Sequence, residues 1–241
     1  MSRASSALAI VQARMSSSRL PGKTLADVEG EPMLALLLRR LRRARAVGEI
    51  VVATSSEALD DPIALLAAGL GVKVTRGSRR DVLDRFLAAI GDREGPVVRI
   101  TGDCPLIDPE IVDETIERFR CVPGCAYASN VQPRSFPDGL DVEVIDAGAL
   151  RAIARERLSA DDREHVTSAI RDAPERFRQA RLVHEPDLGQ LRWTVDEPED
   201  LRFVRALVER LGARRYDAGL ADILHAVRRD PSLADMHGRR G

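Results

Sequence analysis

The sequence predicts a three-layer α/β fold in which a mixed, mainly parallel sheet of about seven strands lies between two layers of helices. Three observations carry that reading. Short apolar runs alternate with longer amphipathic stretches through the first half of the chain, the rhythm of successive β-α units. The second half breaks the rhythm with shorter, irregularly spaced strands, so mixed pairing is expected there. The 241 residues, 44% hydrophobic and 31% charged, are enough to bury a substantial core without an external staple.

ALAIVQA (7–13) is a continuous apolar run and reads as a buried strand. Pro32 then opens a helix, where its missing N–H is harmless. Its apolar positions Leu34, Leu37, Leu38 and Leu41 recur at helical spacing, and Arg39, Arg40, Arg42, Arg43 and Arg45 read as its solvated face. EIVVATS (49–55) is the second strand, followed by a helix from near Pro62. GVKVTRG (71–77) is the third strand and RDVLDRFLAAI (80–90) the third helix. PVVRITG (96–102) supplies the fourth strand. DPEIVDETIERF (108–119) is a helix with Asp108 as N-cap and Pro109 at its first position. Four such units predict a parallel, doubly wound sheet.

Beyond them, CAYASN (125–130) and LDVEVID (140–146) read as strands, the latter alternating Leu140, Val142 and Val144 with Asp141 and Glu143. Helices are expected at about 147–157 and 162–172, strands near 179–184 and 191–195, and helices at about 197–211 and 218–228. The whole chain reads as one domain with its core at about 7–211, and the tail DPSLADMHGRRG reads as frayed.

Composition narrows the function. With 37 Lys+Arg against 38 Asp+Glu the formal net charge is −1, and only eight residues are aromatic. That argues against a nucleic-acid binder, which shows a basic excess and stacking rings. Cys104, Cys121 and Cys125 form no C-x-x-C and have no histidine pair to complete a zinc site. They read as reduced thiols. The apolar run Ala7 to Val11 is too short for a signal-peptide core, and no segment approaches a membrane span, so a cytoplasmic protein is expected. Only Lys23 and Lys73 are lysine among the 37 cations.

In open α/β sheets ligands bind beyond the carboxyl ends of the strands. The loop after the first strand runs Gln12-Ala13-Arg14-Met15-Ser16-Ser17-Ser18-Arg19-Leu20-Pro21-Gly22-Lys23-Thr24. Small residues let backbone N–H groups converge on an anion, serine hydroxyls add donors, and Arg14, Arg19 and Lys23 bring three positive charges. The alternative is an ordinary polar surface loop. The G-x-G-x-x-G of dinucleotide folds is absent, which argues against hydride transfer. The P-loop pattern fails at Ser17, which replaces its first glycine, and Gly30 with Pro32 postpones the helix that should begin at the lysine. Asp103 emerges directly after a buried strand and Gly102, where a hard carboxylate suits Mg²⁺ shared with substrate phosphates. Its alternative, a helix cap, is better filled by Asp108.

Gln12-Ala13-Arg14 through Arg19-Leu20-Pro21-Gly22-Lys23 resembles the N-terminal signature of the cytidylyltransferases that activate acidic sugars, the CMP-Kdo synthetase and acylneuraminate cytidylyltransferase family. Gln12, where those enzymes usually carry proline, points to the spore coat polysaccharide biosynthesis protein F branch. The resemblance runs to about residue 211 through Arg99-Ile100-Thr101-Gly102-Asp103-Cys104-Pro105-Leu106-Ile107, Pro137-Asp138-Gly139-Leu140-Asp141-Val142-Glu143-Val144, Arg163-Glu164-His165-Val166-Thr167 and Arg192-Trp193-Thr194-Val195-Asp196-Glu197-Pro198-Glu199-Asp200.

It implies a Rossmann-like nucleotidyltransferase fold and attack by a sugar acceptor oxygen on the α-phosphate of CTP, releasing pyrophosphate, in surface polysaccharide biosynthesis. Lys23, Arg14 and Arg19 would hold phosphate oxygens, with Gln12, Ala13, Ser16, Ser18 and Gly22 completing the nucleotide loop. Asp196 would complete a Mg²⁺ site with Asp103, although an aspartate ahead of Glu197-Pro198 is equally an N-cap pattern. Arg76 and Ser78, at the end of the third strand, would meet the base, or Arg76 is one more solvated arginine. Asp138, Gly139, Asp141 and Glu143, with Arg163, Glu164 and His165, would meet the acceptor. Alternation at 141–143 is also what a half-exposed strand shows, and a lone histidine is more often packed than catalytic. His184, His225 and His237 carry no signal. Homodimerisation, common in the related synthetases, does not follow from the sequence. The rivals are a nucleotidyltransferase using another triphosphate or a sugar 1-phosphate, a glycosyltransferase, which would want a D-x-D motif, and a nucleotide-binding protein without turnover.

Overall fold

The computed structural model describes residues 6–236. Strand β1 (Ala7–Gln12) lies in the interior of the sheet. Its alternating side chains enter two separate apolar clusters: Ala7, Ala9 and Val11 on one face, Leu8 and Ile10 on the other. A strand buried on both faces needs no polar alternation, which is why this run is continuously apolar. A loop and a short hairpin of β2 (Asp27–Val28) and β3 (Glu31–Pro32) lead to helix α1 (Met33–Leu41). Then follow β4 (Val47–Ser55), α2 (Asp61–Gly69), β5 (Lys73–Gly77), α3 (Val82–Ile90), β6 (Pro96–Thr101) and α4 (Pro109–Cys121). The second half contributes β7 (Tyr127–Ser129), β8 (Glu143–Asp146), α5 (Ala147–Ala154), α6 (Ala160–His165), α7 (Ser168–Arg171), β9 (Gln179–Arg181), α8 (Pro198–Leu211), α9 (Leu220–Arg229) and α10 (Pro231–Met236).

The seven-stranded sheet has the order β5-β4-β1-β6-β8-β7-β9. The first four strands are parallel, β8 runs antiparallel to β6 and β7, and β9 pairs parallel with β7. The expected doubly wound, mixed sheet is therefore present. Lys73 stands on edge strand β5, ion-paired to Glu49 at 2.6 Å, a solvated charge where an exposed edge benefits from one. Asp108 caps α4 as expected, accepting from the Glu110 N–H at 2.9 Å, and its other oxygen accepts from Leu220 N–H at 2.7 Å.

Several local expectations are corrected. The stretch 191–195 makes no strand; it pairs through the single bridge Asp138–Arg192. The helix expected over 162–172 is broken at Val166, whose φ of 63° leaves the helical region. Of 140–146 only Glu143–Asp146 joins the sheet, and it is not half-exposed, since Val142, Glu143 and Val144 are all buried. Residues 231–236 form α10, with Leu233 in the core; the rest of the expected frayed tail, His237 included, lies outside the described residues. Arg40 is not on a solvated face. It is fully buried, and its guanidinium donates to the carbonyls of Leu106, Ile107, Arg215 and Ala218. A buried cation needs such a shell of acceptors.

Glu143 shows the same logic with opposite sign. It accepts from Tyr127 Oη at 2.6 Å and Thr167 Oγ1 at 2.8 Å and pairs with Arg99, whose Nε reaches Gln12 Oε1 at 3.0 Å. One carboxylate thus ties β6, β7 and the turn between α6 and α7 to β8. Burial alone would raise its carboxyl, but Arg99 and the two hydroxyls hold it below the usual carboxylate range. A depressed folded value means the stabilisation is complete above the unfolded value of about 4.3 and is lost as pH falls through the folded one. Glu143→Ala is expected to cost about 3–5 kcal/mol at neutral pH by stranding Arg99. It should also flatten the acid limb of a melting-temperature profile; urea midpoints equal to wild type would refute this role.

Candidate active site

A cleft of about 350 Å³ opens where the strand ends predict it. Gln12, Ala13, Arg14, Ser17, Ser18, Arg19, Lys23 and Thr24 line it from the loop after β1, and Thr101, Gly102 and Asp103 from the end of β6. Val82 and Arg85 of α3, Glu164 and His165 of α6, and Asp196 complete the wall. The loop after β1 is pinned rather than free. Met15 N–H donates to Asp60 Oδ1 at 2.7 Å, Gly22 N–H to Met15 O at 3.0 Å, and Thr24 Oγ1 to Arg14 O at 2.8 Å. Gly102 lets the end of β6 press against the end of β1. Its N–H donates to Gln12 O at 2.8 Å, and a Cβ there would lie 3.0 Å from that oxygen.

At the centre stands Lys23, 8% exposed. Its ammonium donates to Asp103 Oδ2 at 3.1 Å, Asp196 Oδ1 at 2.9 Å and Val195 O at 2.6 Å, so all three of its protons are placed. Asp196 also forms an ion pair with Arg19 at 2.9 Å and accepts from Arg192 at 3.1 Å. Burial would raise the Asp196 carboxyl, but Lys23, Arg19 and Arg192 hold it below its ordinary value. Asp196 therefore does not cap α8. The carboxylate that meets the backbone there is Asp200, accepting from Asp196 N–H at 2.8 Å and Glu197 N–H at 2.9 Å while chelating Arg192.

The ammonium shows what this cage accepts: a cation among three oxygen donors. Two carboxylates and a carbonyl form a hard donor set that suits Mg²⁺ completed by water and phosphate oxygens. No group of three or more His, Cys, Asp and Glu side chains that could hold a metal stands together among the described residues.

What brings Asp196 to Asp103 is the corrected segment 191–195. Leaving the sheet, it bonds backbone to backbone with two loops: Trp193 N–H to Asp138 O at 2.6 Å and Val195 N–H to Asp103 O at 2.9 Å. Gly139 makes room for it. Its φ is +109°, and a Cβ would fall 2.4 Å from the Thr194 nitrogen.

The residues singled out in the sequence divide accordingly. Gln12, Ala13, Arg14, Ser18, Arg19, Lys23, Asp103, Glu164, His165 and Asp196 share the cleft, with Arg14 paired to Glu164 at 3.3 Å and His165 to Asp161 at 3.3 Å. Ser16 and Gly22 stand outside its wall. Arg76 is spent elsewhere, donating to Ser55 O at 2.9 Å and Glu57 O at 3.0 Å and pairing with Asp61. Ser78 accepts from the N–H groups of Arg80 and Asp81 in its own turn. Asp141 is chelated by Arg134 at 2.6 and 2.7 Å, and Asp138 lies near the same guanidinium at 3.5 Å. Arg163 pairs with Asp81 at 2.6 Å, and Glu143 is the buried tie described above. Ser17, Thr24, Thr101 and Arg85 were missed. For Arg85 a signal existed: it falls three residues after Val82, on the stripe of α3 whose Val82, Leu83, Phe86 and Ile90 are buried.

A profile of the family described as Cytidylyltransferase matches residues 8–199. The spore coat polysaccharide biosynthesis protein SpsF of Bacillus subtilis strain 168 is 33% identical over 237 residues, 94% of this chain and 96% of that one. A 3-deoxy-manno-octulosonate cytidylyltransferase of Geobacter sulfurreducens is 45% identical over 112 residues, 45% of this chain and 43% of its own. A solved cytidylyltransferase of Leptospira borgpetersenii superposes with a TM-score of 0.89 at 29% identity, covering 95% of this chain and 97% of that one.

The packing of Gly139 against the 193–194 backbone sets an expectation for substitution. Gly139→Ala should cost at least about 2 kcal/mol, from a strained φ and a backbone clash together. The loss is read as a lowered urea midpoint; wild-type stability would refute the fit.

Proposed function

Because the chain belongs to the cytidylyltransferase family, we propose that it transfers CMP from CTP to a sugar acceptor, with Mg²⁺ and release of pyrophosphate, in surface polysaccharide biosynthesis. The observation that carries the reading is the convergence of Lys23, Asp103 and Asp196 at the mouth of a loop that also presents Arg14 and Arg19. The name of the Bacillus relative supports the pathway.

The acceptor oxygen forms a bond to the α-phosphorus while the bond from that phosphorus to the bridging β-phosphate oxygen breaks, and pyrophosphate leaves with the electron pair. Such a transfer asks the protein for position and charge rather than for a covalent partner. Asp103 and Asp196 would hold Mg²⁺, which supplies charge neutralisation at the reacting phosphate. Among the described residues Arg14, 43% exposed, pairs with the exposed Glu164, and Arg19, 56% exposed, with the sheltered Asp196, so phosphate oxygens can draw Arg14 in at small cost. Lys23 keeps a short reach from carboxylates to phosphate and takes up charge on the leaving group. Glu164 and His165 face the same cleft and are assigned to the acceptor.

Pyrophosphate release followed with CTP, UTP, ATP and GTP, Mg²⁺ and a panel of acidic sugars tests the reaction; release with UTP alone would sink the cytidylyl reading. In that assay Asp103→Asn should lower kcat by at least about a hundredfold with the fold intact, and normal turnover would remove Asp103 from the site. Lys23→Arg should lose at least about tenfold in kcat, because a planar fork cannot fill a cage built around three donors of a compact ammonium. Unchanged kinetics would return Lys23 to a structural role.

A further inference from the structure

Lys23 stands where a divalent cation would stand. Its ammonium donates to Asp103 Oδ2 at 3.1 Å, Asp196 Oδ1 at 2.9 Å and the Val195 carbonyl at 2.6 Å, and its side chain is sheltered from solvent. A Mg²⁺ ion lies about 2.1 Å from a carboxylate oxygen that ligates it. On the oxygens that Lys23 already holds, such an ion would be no more than about 5 Å from the ammonium, and two like charges would share the same carboxylates. The cage therefore takes the ammonium or the metal, not both.

The charges of the cage balance one another. Lys23, Arg19 and Arg192 face Asp103, Asp196 and Asp200. A divalent cation on its own adds two positive charges to that set and has to expel one of the cations already there. Arg192 is chelated by Asp200 through two hydrogen bonds and stands outside the cleft wall. Lys23 can move by its side chain alone. Its backbone is fixed, the N–H donating to Leu20 O at 3.2 Å and the carbonyl accepting from Ala26 N–H at 3.0 Å, while its ammonium rides on a flexible four-carbon stem. Arg14, Ser17 and Ser18 stand along the same wall, where phosphate oxygens would be met. A metal that arrives with a polyphosphate brings the anion that can receive the ammonium; a free metal brings none.

We propose that Lys23 guards the cage: its ammonium keeps free divalent cations off Asp103 and Asp196, and the cage opens to a metal only when the phosphates of an incoming nucleotide draw the ammonium away. The cleft then selects a metal–polyphosphate complex over the metal alone, and a metal enters with phosphate, never ahead of it. The guard rests on the metal reading of Asp103 and Asp196 given above. It gives Lys23 a task before the chemistry, separate from holding phosphate during it.

Calorimetric titration with Mn²⁺ alone, without any nucleotide, of wild type, Lys23→Met and the double variant Lys23→Met/Asp103→Asn tests it. Lys23→Met should bind Mn²⁺ at least about tenfold more tightly than wild type, and the gain should vanish in the double variant. The melting temperature of Lys23→Met, lowered by loss of the shared cation, should rise with Mn²⁺ while that of wild type stays in place. Mn²⁺ binding no tighter in Lys23→Met than in wild type overturns the guard, as does a gain that survives Asp103→Asn. Should Lys23→Met fail to fold, acetylation of wild type by acetic anhydride is followed at Lys23 against Lys73, an exposed lysine that serves as reference. The Lys23 rate should be unmoved by Mn²⁺ alone and change when tripolyphosphate is added; a rate moved by Mn²⁺ alone, or by neither, overturns the guard. A protein with the Mn²⁺ gain that releases pyrophosphate from no triphosphate loses the CTP reading and keeps the guard. One that releases pyrophosphate with CTP and lacks the gain loses the guard alone.

Discussion

Two ionised carboxylates brought side by side repel each other unless a cation lies between them, and in this protein that cation is the ammonium of Lys23. Much of the surrounding structure exists to make that meeting possible. Gly102 brings the end of β6 against the end of β1, so that Asp103 faces the loop that carries Lys23. Gly139 admits the 193–194 backbone, so that Asp196 arrives from a segment far along the chain. Arg192 and Asp200 then hold the Asp196 backbone and side chain from behind. Remote stretches of sequence converge because each has a backbone hydrogen bond to its neighbour, not because they share a regular element.

Three arginines in the interior show how burial discriminates among identical side chains. Arg40 is satisfied by carbonyls and is a fastener. Arg99 is satisfied by a carboxylate and by Gln12, linking the cleft wall to the antiparallel part of the sheet. Arg85 lines the cleft, and its Nε and Nη1 meet no acceptor among the described residues. Residue type is the same, and Arg40 and Arg85 are alike in burial; the census of acceptors is what tells them apart.

How much of this was legible in the sequence follows from how far each signal is local. The strands and helices of the first half are set by continuous apolar runs, prolines at helix starts and an aspartate cap, all read within a few residues, and they stand where expected. The loop after β1 and Asp103 could be singled out because strand ends are where such folds bind ligands, whereas Asp196 entered only through the resemblance. The course of 191–195 was not. An extended apolar segment looks the same whether its N–H groups meet a strand or, as here, the loop carbonyls of Asp138 and Asp103. The commitment of Arg76 to Ser55 and Glu57 and the burial of Glu143 were hidden for the same reason. Each depends on a partner distant in sequence, and in a chain with 35 arginines no pattern tells a satisfied guanidinium from a solvated one.

Arg40 also bears on where the folding unit ends. The family profile stops at residue 199, yet two of the four carbonyls that satisfy this guanidinium belong to Arg215 and Ala218. Asp108, which caps α4, holds the first turn of α9 with its second oxygen, and Ile223 and Leu233 lie in the same apolar cluster as β1. The segment beyond the matched region is therefore part of the scaffold. A protein trimmed to the matched region would keep Lys23, Asp103 and Asp196 while leaving the buried charge of Arg40 with only the carbonyls of Leu106 and Ile107.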